Sequence, residues 1–294
     1  MKQYKLATID IGGTNTRFAL IENDKIIKKI RFATNQFNYS ETLDKVINLL
    51  KKYQIDSVAL CIPGPADYKK GVIIDSPNLS GWHNINIKKY IKNKIAIKKI
   101  VFENDANAMA LGNHYFYKNN ELKNSVSQFF TISTGFGAGL IINNKIFTGA
   151  NGYAQEIAFL PSSKNKTKKL HLNEYAAEHL ISGTGISLRA KNKKLFLSAK
   201  EIFKKYKEND ICRKIIDEGI DALARTLAMA LAFVNPNLVI FGGSVALNNW
   251  WYVEKAIELA KKYVDPAHLL NLRIVKDPYG DDSALIGLSY LLKK

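Results

Sequence analysis

One strand–loop–hairpin pattern occurs twice in this chain. The first copy is ATIDIGGTNTRFALIENDKII, residues 7–27, and the second is TISTGFGAGLIINNKIF, residues 131–147. When residues 19–21 are placed over residues 139–141, the turn and the strand that follow also match. The preceding strands match as TID and TIS if the first loop is longer by three residues. A repeat of this size predicts a fold made of two related halves.

Small residues form the loop in each copy of the pattern. The loop residues are Gly12, Gly13 and Thr14 in the first copy and Thr134, Gly135 and Gly137 in the second. Because glycine has no Cβ, backbone N–H groups in such loops can approach an anion. Two loops of this kind could hold the phosphates of one nucleotide from opposite sides. An ordinary tight hairpin is the alternative for either loop alone, because Gly and Asn are frequent turn residues.

Polar side chains flank the first loop. Thr14, Asn15 and Thr16 can donate hydrogen bonds to an anion that the loop holds. Asp10 ends the preceding strand, where it could bind a magnesium ion beside the phosphates, with water as the bridge. These residues predict a magnesium–phosphate site around Asp10.

Strands and helices alternate between the two copies. A helix expected over residues 39–53 precedes a strand over residues 58–62, and a further strand and helix follow. This order predicts a layered α/β fold. We expect an N-terminal domain of residues 1–118, completed by a C-terminal helix at 283–294, and a C-terminal domain of residues 119–282.

Composition narrows the classes of partner. The net charge of +17 raises the possibility of a nucleic-acid partner, but the lysines are spread along the chain and no helix-turn-helix precedes the first strand. No apolar run is long enough to span a membrane, and no signal peptide is evident. Two cysteines cannot form a disulfide framework or a cysteine-based zinc cluster. We therefore expect a cytoplasmic protein without nucleic-acid or membrane partners.

The stretch FENDANAMALGN places a carboxylate between a strand and a helix. The N-terminus of that helix favours the ionised form of Asp105. Ligands of open α/β sheets bind beyond the carboxyl ends of the strands. There Asp105 could accept the proton of a substrate hydroxyl as that hydroxyl attacks phosphorus, and Asn104 could bind a neighbouring hydroxyl. The alternative is that Asp105 only caps the helix.

Three further stretches offer candidate ligands. In GANGYAQEIAF, Glu156 could accept hydrogen bonds from two sugar hydroxyls, or it could be a surface charge. In SPNLSGW, Asn78 and Trp82 offer amide and aromatic surface suited to a sugar ring. In VIFGGSV, Gly242 and Gly243 follow a buried strand, where a flat adenine could lie close to the backbone.

Taken in order, the motifs resemble those of the ROK family (repressor, open reading frame, kinase) of sugar kinases, within the actin-like ATPase superfamily. The motifs are DIGGTNTR, PGPAD, NLSGW, ENDANAMALGN, TGFGAGLIINNKIFTGANGYAQEI and NPNLVIFGGSV, and they span nearly the whole chain. The resemblance implies two RNase H-like domains that close over ATP, Mg2+ and a hexose. It also implies a homodimer.

The resemblance assigns roles to individual residues. Asp105 matches the catalytic base, Asn104 a sugar ligand and Glu156 the glutamate that binds the sugar hydroxyls. Residues 12–14 and 134–137 match the phosphate loops, and Gly242 with Gly243 matches the adenosine loop. A later sugar-binding glutamate falls on Glu174 or Glu178: the stretch LNEYAA favours Glu174, and EHLISGTGI favours Glu178.

One family feature is missing. Many members have a zinc-binding histidine where this chain has Phe159, and a cysteine cluster where this chain has no cysteine. His171 alone cannot make a tetrahedral zinc site. The expected cofactors are therefore ATP and Mg2+ without structural zinc, and Phe159 is expected to turn inward in place of the metal ligand.

The resemblance implies an ATP-dependent kinase for a hexose or an N-acetylhexosamine, at the 6-hydroxyl. The alternative within the family is a sugar-sensing regulator without kinase activity. A non-catalytic filament-forming protein is disfavoured by Asn78, Asn104 and Glu156. The choice between glucose and an N-acetylated sugar depends on the shape of the sugar pocket.

Overall fold

The structure is a computed structural model that describes residues 6–119, 126–162, 166 and 172–293. It has two mixed five-stranded sheets flanked by helices. Contacts divide the chain into two compact units, residues 1–116 with 281–294 and residues 117–280. The α/β fold with two repeated sheets expected from the sequence is confirmed, and the domain boundaries given above stay a prediction.

Unit 1 is built on the sheet β3-β2-β1-β4-β8. Its strands are β1 (Leu6–Ile11), β2 (Asn15–Glu22), β3 (Lys25–Ala33), β4 (Ser57–Cys61) and β8 (Lys99–Glu103). A small separate sheet, not expected from the sequence, consists of β5 (Ala66–Asp67), β6 (Val72–Ile73) and β7 (Ile85–Asn86). The helices are α1 (Tyr39–Lys52), α2 (Ile87–Lys92), α3 (Asp105–Asn119) and α10 (Ser283–Leu292).

Unit 2 is built on the sheet β11-β10-β9-β12-β13, which repeats the order of the first sheet. Its strands are β9 (Val126–Ile132), β10 (Phe136–Ile142), β11 (Lys145–Ile146), β12 (Leu238–Gly242) and β13 (Arg273–Lys276). The α-helices are α4 (Glu178–Ile181), α5 (Gly183–Asn192), α6 (Ala199–Lys204), α7 (Asp210–Val234), α8 (Ser244–Asn248) and α9 (Trp250–Ala260). Short 3-10 segments are Ile157–Phe159, Pro266–Leu269 and Gly280–Asp282.

The hairpin registers correct the loop lengths inferred from the sequence. In unit 1, Ile11 pairs with Thr16, which leaves four residues between the strands. In unit 2, Ile132 pairs with Phe136, which leaves three residues. The first loop is therefore longer by one residue, and the expectation of three was wrong. The expectation came from aligning TID with TIS by residue identity. The hydrogen-bonded register, and not residue identity, determines which residues are equivalent.

This register also changes which residue of unit 2 corresponds to Asp10. Asp10 pairs with Arg17, and the equivalent pair in the second hairpin is Thr131 with Gly137. Thr131, and not Ser133, therefore occupies the position of Asp10. The repeat supplies a carboxylate at this position in unit 1 only.

A long buried helix, α7, organises the core of unit 2. Asn209 caps its N-terminus, because the Asn209 side chain accepts a hydrogen bond from the N–H of Cys212. Its Ala- and Leu-rich sequence buries one broad face, including Leu223 and Leu227. The helix ends where Asn235 adopts a left-handed conformation, with φ at 48°.

Helices α3 and α10 approach each other closely in unit 1. A Cβ added to Gly287 on α10 would lie 1.7 Å from the carbonyl oxygen of Ala108 on α3. A Cβ added to Gly112 on α3 would lie 2.9 Å from the backbone nitrogen of Gly287. Only glycine allows the two backbones to come this near. Because Asp105 is the first residue of α3, this contact also positions the start of that helix.

Within the described ranges, no helix combines the length and the apolar character that crossing a membrane requires.

Candidate functional site

Three strands of unit 1 end side by side at one edge of the sheet. The parallel registers place Asp10 beside Cys61 and Cys61 beside Glu103, which are on β1, β4 and β8. Asn104 and Asp105 follow directly and begin α3. The carboxyl ends of adjacent parallel strands are where ligands of open α/β sheets bind. The structure thus brings Asp10, Asn104 and Asp105 to one edge.

Cys61 does not supply a nucleophile at this edge. Its thiol is buried. Burial, together with the negative charges of Asp10 and Asp105, raises the pKa of the Cys61 thiol well above its ordinary value. A protonated thiol is a poor nucleophile, so the chemistry of the edge depends on its carboxylates.

Asp10 forms an ion pair that the sequence analysis did not identify. The Nε atom of Arg17 donates to Asp10 Oδ2 at 3.0 Å, and Nη2 of the same guanidinium also contacts that oxygen. Burial lowers the pKa of Arg17, but the charge and hydrogen bonds of Asp10 outweigh burial, so the net shift is upward. Arg17 also donates to the backbone oxygen of Asp281. The register opposite Asp10 was the signal that could have predicted this pair.

Asp105 lies at the N-terminus of α3, with its Oδ1 accepting a hydrogen bond from the N–H of Ala106 at 2.8 Å. Part of the side chain reaches solvent, but surrounding protein atoms desolvate the carboxylate. This desolvation, with the charge of Asp10, raises the pKa of Asp105 above its ordinary value. The backbone hydrogen bonds favour the ionised carboxylate but only partly offset desolvation, and the expectation that the helix N-terminus keeps Asp105 ionised stays a prediction.

Asn104 is oriented by hydrogen bonds on both sides of its amide. Its Nδ2 donates to Tyr68 Oη at 3.4 Å, and its Oδ1 accepts from the N–H of Asn107 at 3.2 Å. Glu103 supports this turn, because its Oε1 accepts from the N–H of Asn104 at 2.9 Å and from Asn107 Nδ2 at 3.0 Å. Burial raises the pKa of Glu103. These contacts hold the Asn104 amide in one orientation beside Asp105.

A backbone hydrogen bond closes the first loop, which packs against Asn78. The N–H of Gly12 donates to the oxygen of Asn15 at 3.0 Å. A Cβ on Gly13 would lie 2.6 Å from the Cβ of Asn78. Among the described residues, none accepts a hydrogen bond from the N–H of Gly13 or Thr14. Thr14 is exposed, so these donors are available to an anion.

Trp82 does not present a surface to a ligand. Its side chain is 0% exposed, and its Nε1 donates to the oxygen of Asn35 at 2.9 Å. It packs edge-on against Tyr39, with ring centroids 6.3 Å apart. The suggestion that Trp82 stacks on a sugar ring was therefore wrong, because the indole belongs to the core. Asn78, in the same loop, is exposed.

A backbone hydrogen bond also closes the second loop. The N–H of Ser133 donates to the oxygen of Gly135 at 2.9 Å. The N–H of Phe136 donates to Glu178 Oε2 at 2.9 Å. No acceptor among the described residues binds the N–H of Thr134 or of Gly135. Two backbone donors are thus left for an anion in each loop, and Gly137 lies in the strand that follows.

Gly242 and Gly243 have packing roles within unit 2. A Cβ on Gly242 would lie 2.8 Å from Asp277 Oδ2, and a Cβ on Gly243 would lie 2.4 Å from the oxygen of Ile132. Gly243 also has a φ of 87°, which disfavours side chains. The contact with Asp277 explains the glycine at 242, and the close approach to β9 together with the positive φ explains the glycine at 243. A role in binding adenine stays a prediction.

The loop that carries Glu156 is anchored by a pair of glutamines. Gln128 is buried, and its Nε2 donates to Gln155 Oε1 at 2.8 Å. Glu156 follows and is exposed, before a 3-10 turn. Phe159 at the end of that turn is 43% exposed, so the expectation that it turns inward was wrong. Its backbone oxygen accepts from Asn173 Nδ2 at 2.6 Å, and this contact holds the turn.

The two candidate sugar-binding glutamates differ in their exposure and in their partners. Glu174 pairs with Lys166 at 3.2 Å, and its side chain is 36% exposed. Glu178 is 7% exposed and contacts the second loop.

Among the described residues, no group of three or more His, Cys, Asp or Glu side chains is arranged to hold a metal ion. His171 lies outside the described residues.

The chain matches a known family over nearly its whole length. The ROK family profile matches residues 6–294. The glucokinase of Thermotoga maritima is 27% identical, over 100% of this chain and 99% of that protein. An N-acetylmannosamine kinase of Haemophilus influenzae is 27% identical, over 97% of this chain and 94% of that protein.

A solved structure supports the fold. The ROK family glucokinase of Streptomyces griseus, solved in complex with glucose and AMPPNP, superposes with a TM-score of 0.78 over 98% of this chain and 99% of that chain. The two sequences are 19% identical, so this likeness concerns the fold alone.

Proposed function

The chain belongs to the ROK family, with sugar kinases among its full-length relatives, and on that premise we propose that it is an ATP-dependent sugar kinase. The proposed reaction phosphorylates a hexose or an N-acetylhexosamine at the 6-hydroxyl. The observation that carries the proposal is the arrangement at the sheet edge of unit 1. There a carboxylate and an oriented amide follow β8, and a loop with two uncommitted backbone donors follows β1, the two strands lying on either side of β4.

Asp105 is the proposed general base. The oxygen of the sugar 6-hydroxyl attacks the γ-phosphorus of ATP, the bond from that phosphorus to the β–γ bridging oxygen breaks, and the hydroxyl proton moves to the Asp105 carboxylate. Asn104 binds a neighbouring hydroxyl, and its fixed amide orients the sugar. The N–H groups of both loops bind phosphate oxygens and stabilise their negative charge.

The residues of unit 1 fit a magnesium ion. Asp10 offers a hard carboxylate oxygen, which Mg2+ prefers, beside the first loop. Arg17 binds Oδ2 of that carboxylate and so orients its second oxygen. We propose that Asp10 holds Mg2+ directly or through water. Bound there, the ion would neutralise phosphate charge.

The proposal also covers the class of sugar that the kinase phosphorylates. The two named relatives above are a glucokinase and an N-acetylmannosamine kinase, at the same identity of 27%. Glu156, with Asn78 and Asn104, is proposed to bind sugar hydroxyls. Glu174 and Glu178 remain the two candidates for a second glutamate in the same role. Dimer formation is proposed by analogy with the family.

A coupled assay that measures ADP release tests the proposal. We would compare glucose, N-acetylmannosamine, N-acetylglucosamine, fructose and a β-glucoside at saturating ATP and Mg2+. ADP release with one of these sugars supports the proposed kinase activity. Sugar binding measured by calorimetry, without ADP release for any sugar, would instead support a sugar-sensing regulator.

Valine at either loop glycine is expected to weaken ATP binding by about tenfold or more, because the added side chain overpacks a tight contact. In Gly135→Val the new Cβ would press on Glu178 Oε2, 3.0 Å away. In Gly13→Val it would displace Asn78, so sugar affinity should fall as well. Isothermal titration with AMPPNP and with sugar measures both effects. Unchanged nucleotide affinity in both variants would mean that the loops are only architectural.

We expect no structural zinc. The chain has two cysteines, and both are buried and unpaired, so the usual thiolate ligands of a zinc site are missing. Elemental analysis of protein purified without added metal checks this, together with activity after treatment with a zinc chelator in excess Mg2+. About one zinc per chain would contradict the prediction.

A further inference from the structure

Gln36 lies in the segment after β3 and contacts two loops of the candidate site. Its Nε2 donates to the oxygen of Gly13, in the first loop, at 2.8 Å. Its backbone oxygen accepts the N–H of Gly81 at 2.8 Å, in the loop that also carries Asn78. The side chain of Gln36 therefore binds the first loop, and its backbone binds the Asn78 loop.

The backbone on either side of Gln36 is held by separate hydrogen bonds. The N–H of Asn35 donates to Thr42 Oγ1 at 2.9 Å, and Asn35 Oδ1 accepts the N–H of Phe37 at 3.0 Å. Nε1 of the buried Trp82 donates to the oxygen of Asn35 at 2.9 Å. These bonds do not involve the Gln36 side chain, so the segment keeps its course when that side chain is replaced.

The contact with Gly13 also determines the direction of an N–H group. The peptide between Gly13 and Thr14 is trans, and in a trans peptide the C=O and the following N–H point in opposite directions. Because the oxygen of Gly13 accepts from Gln36, the N–H of Thr14 points away from Gln36. That N–H has no acceptor among the described residues, and Thr14 is exposed. Since Gly13 has no Cβ, several orientations of this peptide are sterically allowed, and the bond from Gln36 selects one.

From these contacts we propose that Gln36 is a positioning residue, which directs the N–H of Thr14 toward a nucleotide phosphate by binding the oxygen of Gly13. The inference rests on the proposed kinase function. The alternative is that Gln36 only links the two loops. Replacing the side chain separates these roles, because the backbone oxygen that binds Gly81 is retained in every variant. Loss of the positioning role should affect nucleotide and spare sugar.

The test compares Gln36→Met with the wild-type protein by titration calorimetry with AMPPNP and Mg2+. Methionine keeps the length of the side chain and removes the donor, so the Kd for AMPPNP should rise by about three- to tenfold, the usual effect of one hydrogen bond. The Kd for glucose or N-acetylmannosamine, whichever binds more tightly, should stay within about twofold, because the Asn78 loop keeps its contact with the backbone of Gln36.

Steady-state kinetics supply a second measurement. A phosphate contact that is equally strong in the ground state and the transition state affects KM and not kcat. The KM for ATP should therefore rise by the same factor as the Kd, with kcat within about twofold of the wild-type value. Gln54→Met is the matched control, because Gln54 is exposed in the same unit and its side chain makes no hydrogen bond within the described part of the chain.

Gln36→Glu checks the donor directly. A carboxylate has nearly the same shape as the amide but cannot donate to the oxygen of Gly13, so the Kd for AMPPNP should rise at least as much as in Gln36→Met. Melting curves by circular dichroism show that each variant is folded. A rise in the AMPPNP Kd of less than about twofold in both variants would overturn the positioning role. An equal rise for sugar and AMPPNP would also overturn it and leave Gln36 as a link between loops. Failure of the wild-type protein to bind AMPPNP would instead overturn the proposed function itself.

Discussion

Asp105→Asn is expected to lower kcat by about 10²–10⁴-fold, which is the usual contribution of a positioned general base. Asparagine has nearly the same shape as aspartate, and its Oδ1 can keep the hydrogen bond from the N–H of Ala106. The fold and the Kd values for sugar and AMPPNP should therefore be retained. Steady-state kinetics with the best sugar, combined with calorimetry of both ligands, measures the effect.

The raised pKa of Asp105 also predicts how kcat depends on pH. Because only the ionised carboxylate can accept the proton, wild-type kcat should fall as the pH decreases through the raised pKa, above the ordinary Asp value of about 3.9. The residual activity of Asp105→Asn should lack this decrease. Desolvation makes ionisation of Asp105 unfavourable in the folded chain, so this group opposes folding at pH values above its raised pKa. The melting temperature of the variant at neutral pH should therefore not fall.

Asp44→Asn is the matched control for this experiment. Asp44 is a surface carboxylate of α1, 47% exposed, that binds Lys94 and Tyr90. Its replacement should leave kcat unchanged. Near wild-type turnover in purified Asp105→Asn would remove Asp105 from the base role and leave it as a helix-terminal residue only.

Gly287→Ala is expected to destabilise the protein by about 1–3 kcal/mol, the usual cost of overpacking a well-packed contact. The new Cβ would lie 1.7 Å from the carbonyl oxygen of Ala108, so α10 or α3 must move. The gain in helix propensity from Gly to Ala, about 1 kcal/mol, works against this and is smaller than the cost of moving a backbone. Because Asp105 begins α3, kcat should fall together with stability.

Urea unfolding with a circular dichroism signal measures this change in the free energy of unfolding. Gly280→Ala is the control, because nothing lies within 4 Å of a Cβ there and its φ of 53° carries only the left-handed backbone cost of about 1–2 kcal/mol. Gly280→Ala should leave kcat unchanged. A Gly287→Ala variant as stable and as active as the wild-type protein would show that the two helices can separate without consequence.

The sequence alone predicted a repeated strand–loop–hairpin unit and the strand-end positions of Asp10 and Asp105. Hydrophobic alternation defines strands, and the chain places Asp10 near the end of one strand and Asp105 directly after another, where ligands of open α/β sheets bind. These features are local or follow from chain order, so they can be inferred from residue types and their spacing. The small glycine-containing loops were equally visible, since their composition reflects the turn itself.

The tertiary structure decided the partners of those residues. The register of one hairpin set Arg17 opposite Asp10, and packing placed Trp82 in the core and Phe159 at the surface. Contacts between segments distant in sequence brought Glu178 to Phe136. Such contacts depend on how helices and loops pack over the sheet. The type of a residue does not show which neighbouring residues will desolvate its side chain or bind it. For that reason the repeated hairpin and the strand-end position of Asp105 could be predicted, while the raised pKa of Asp105 and the contact of Glu178 with Phe136 required the fold.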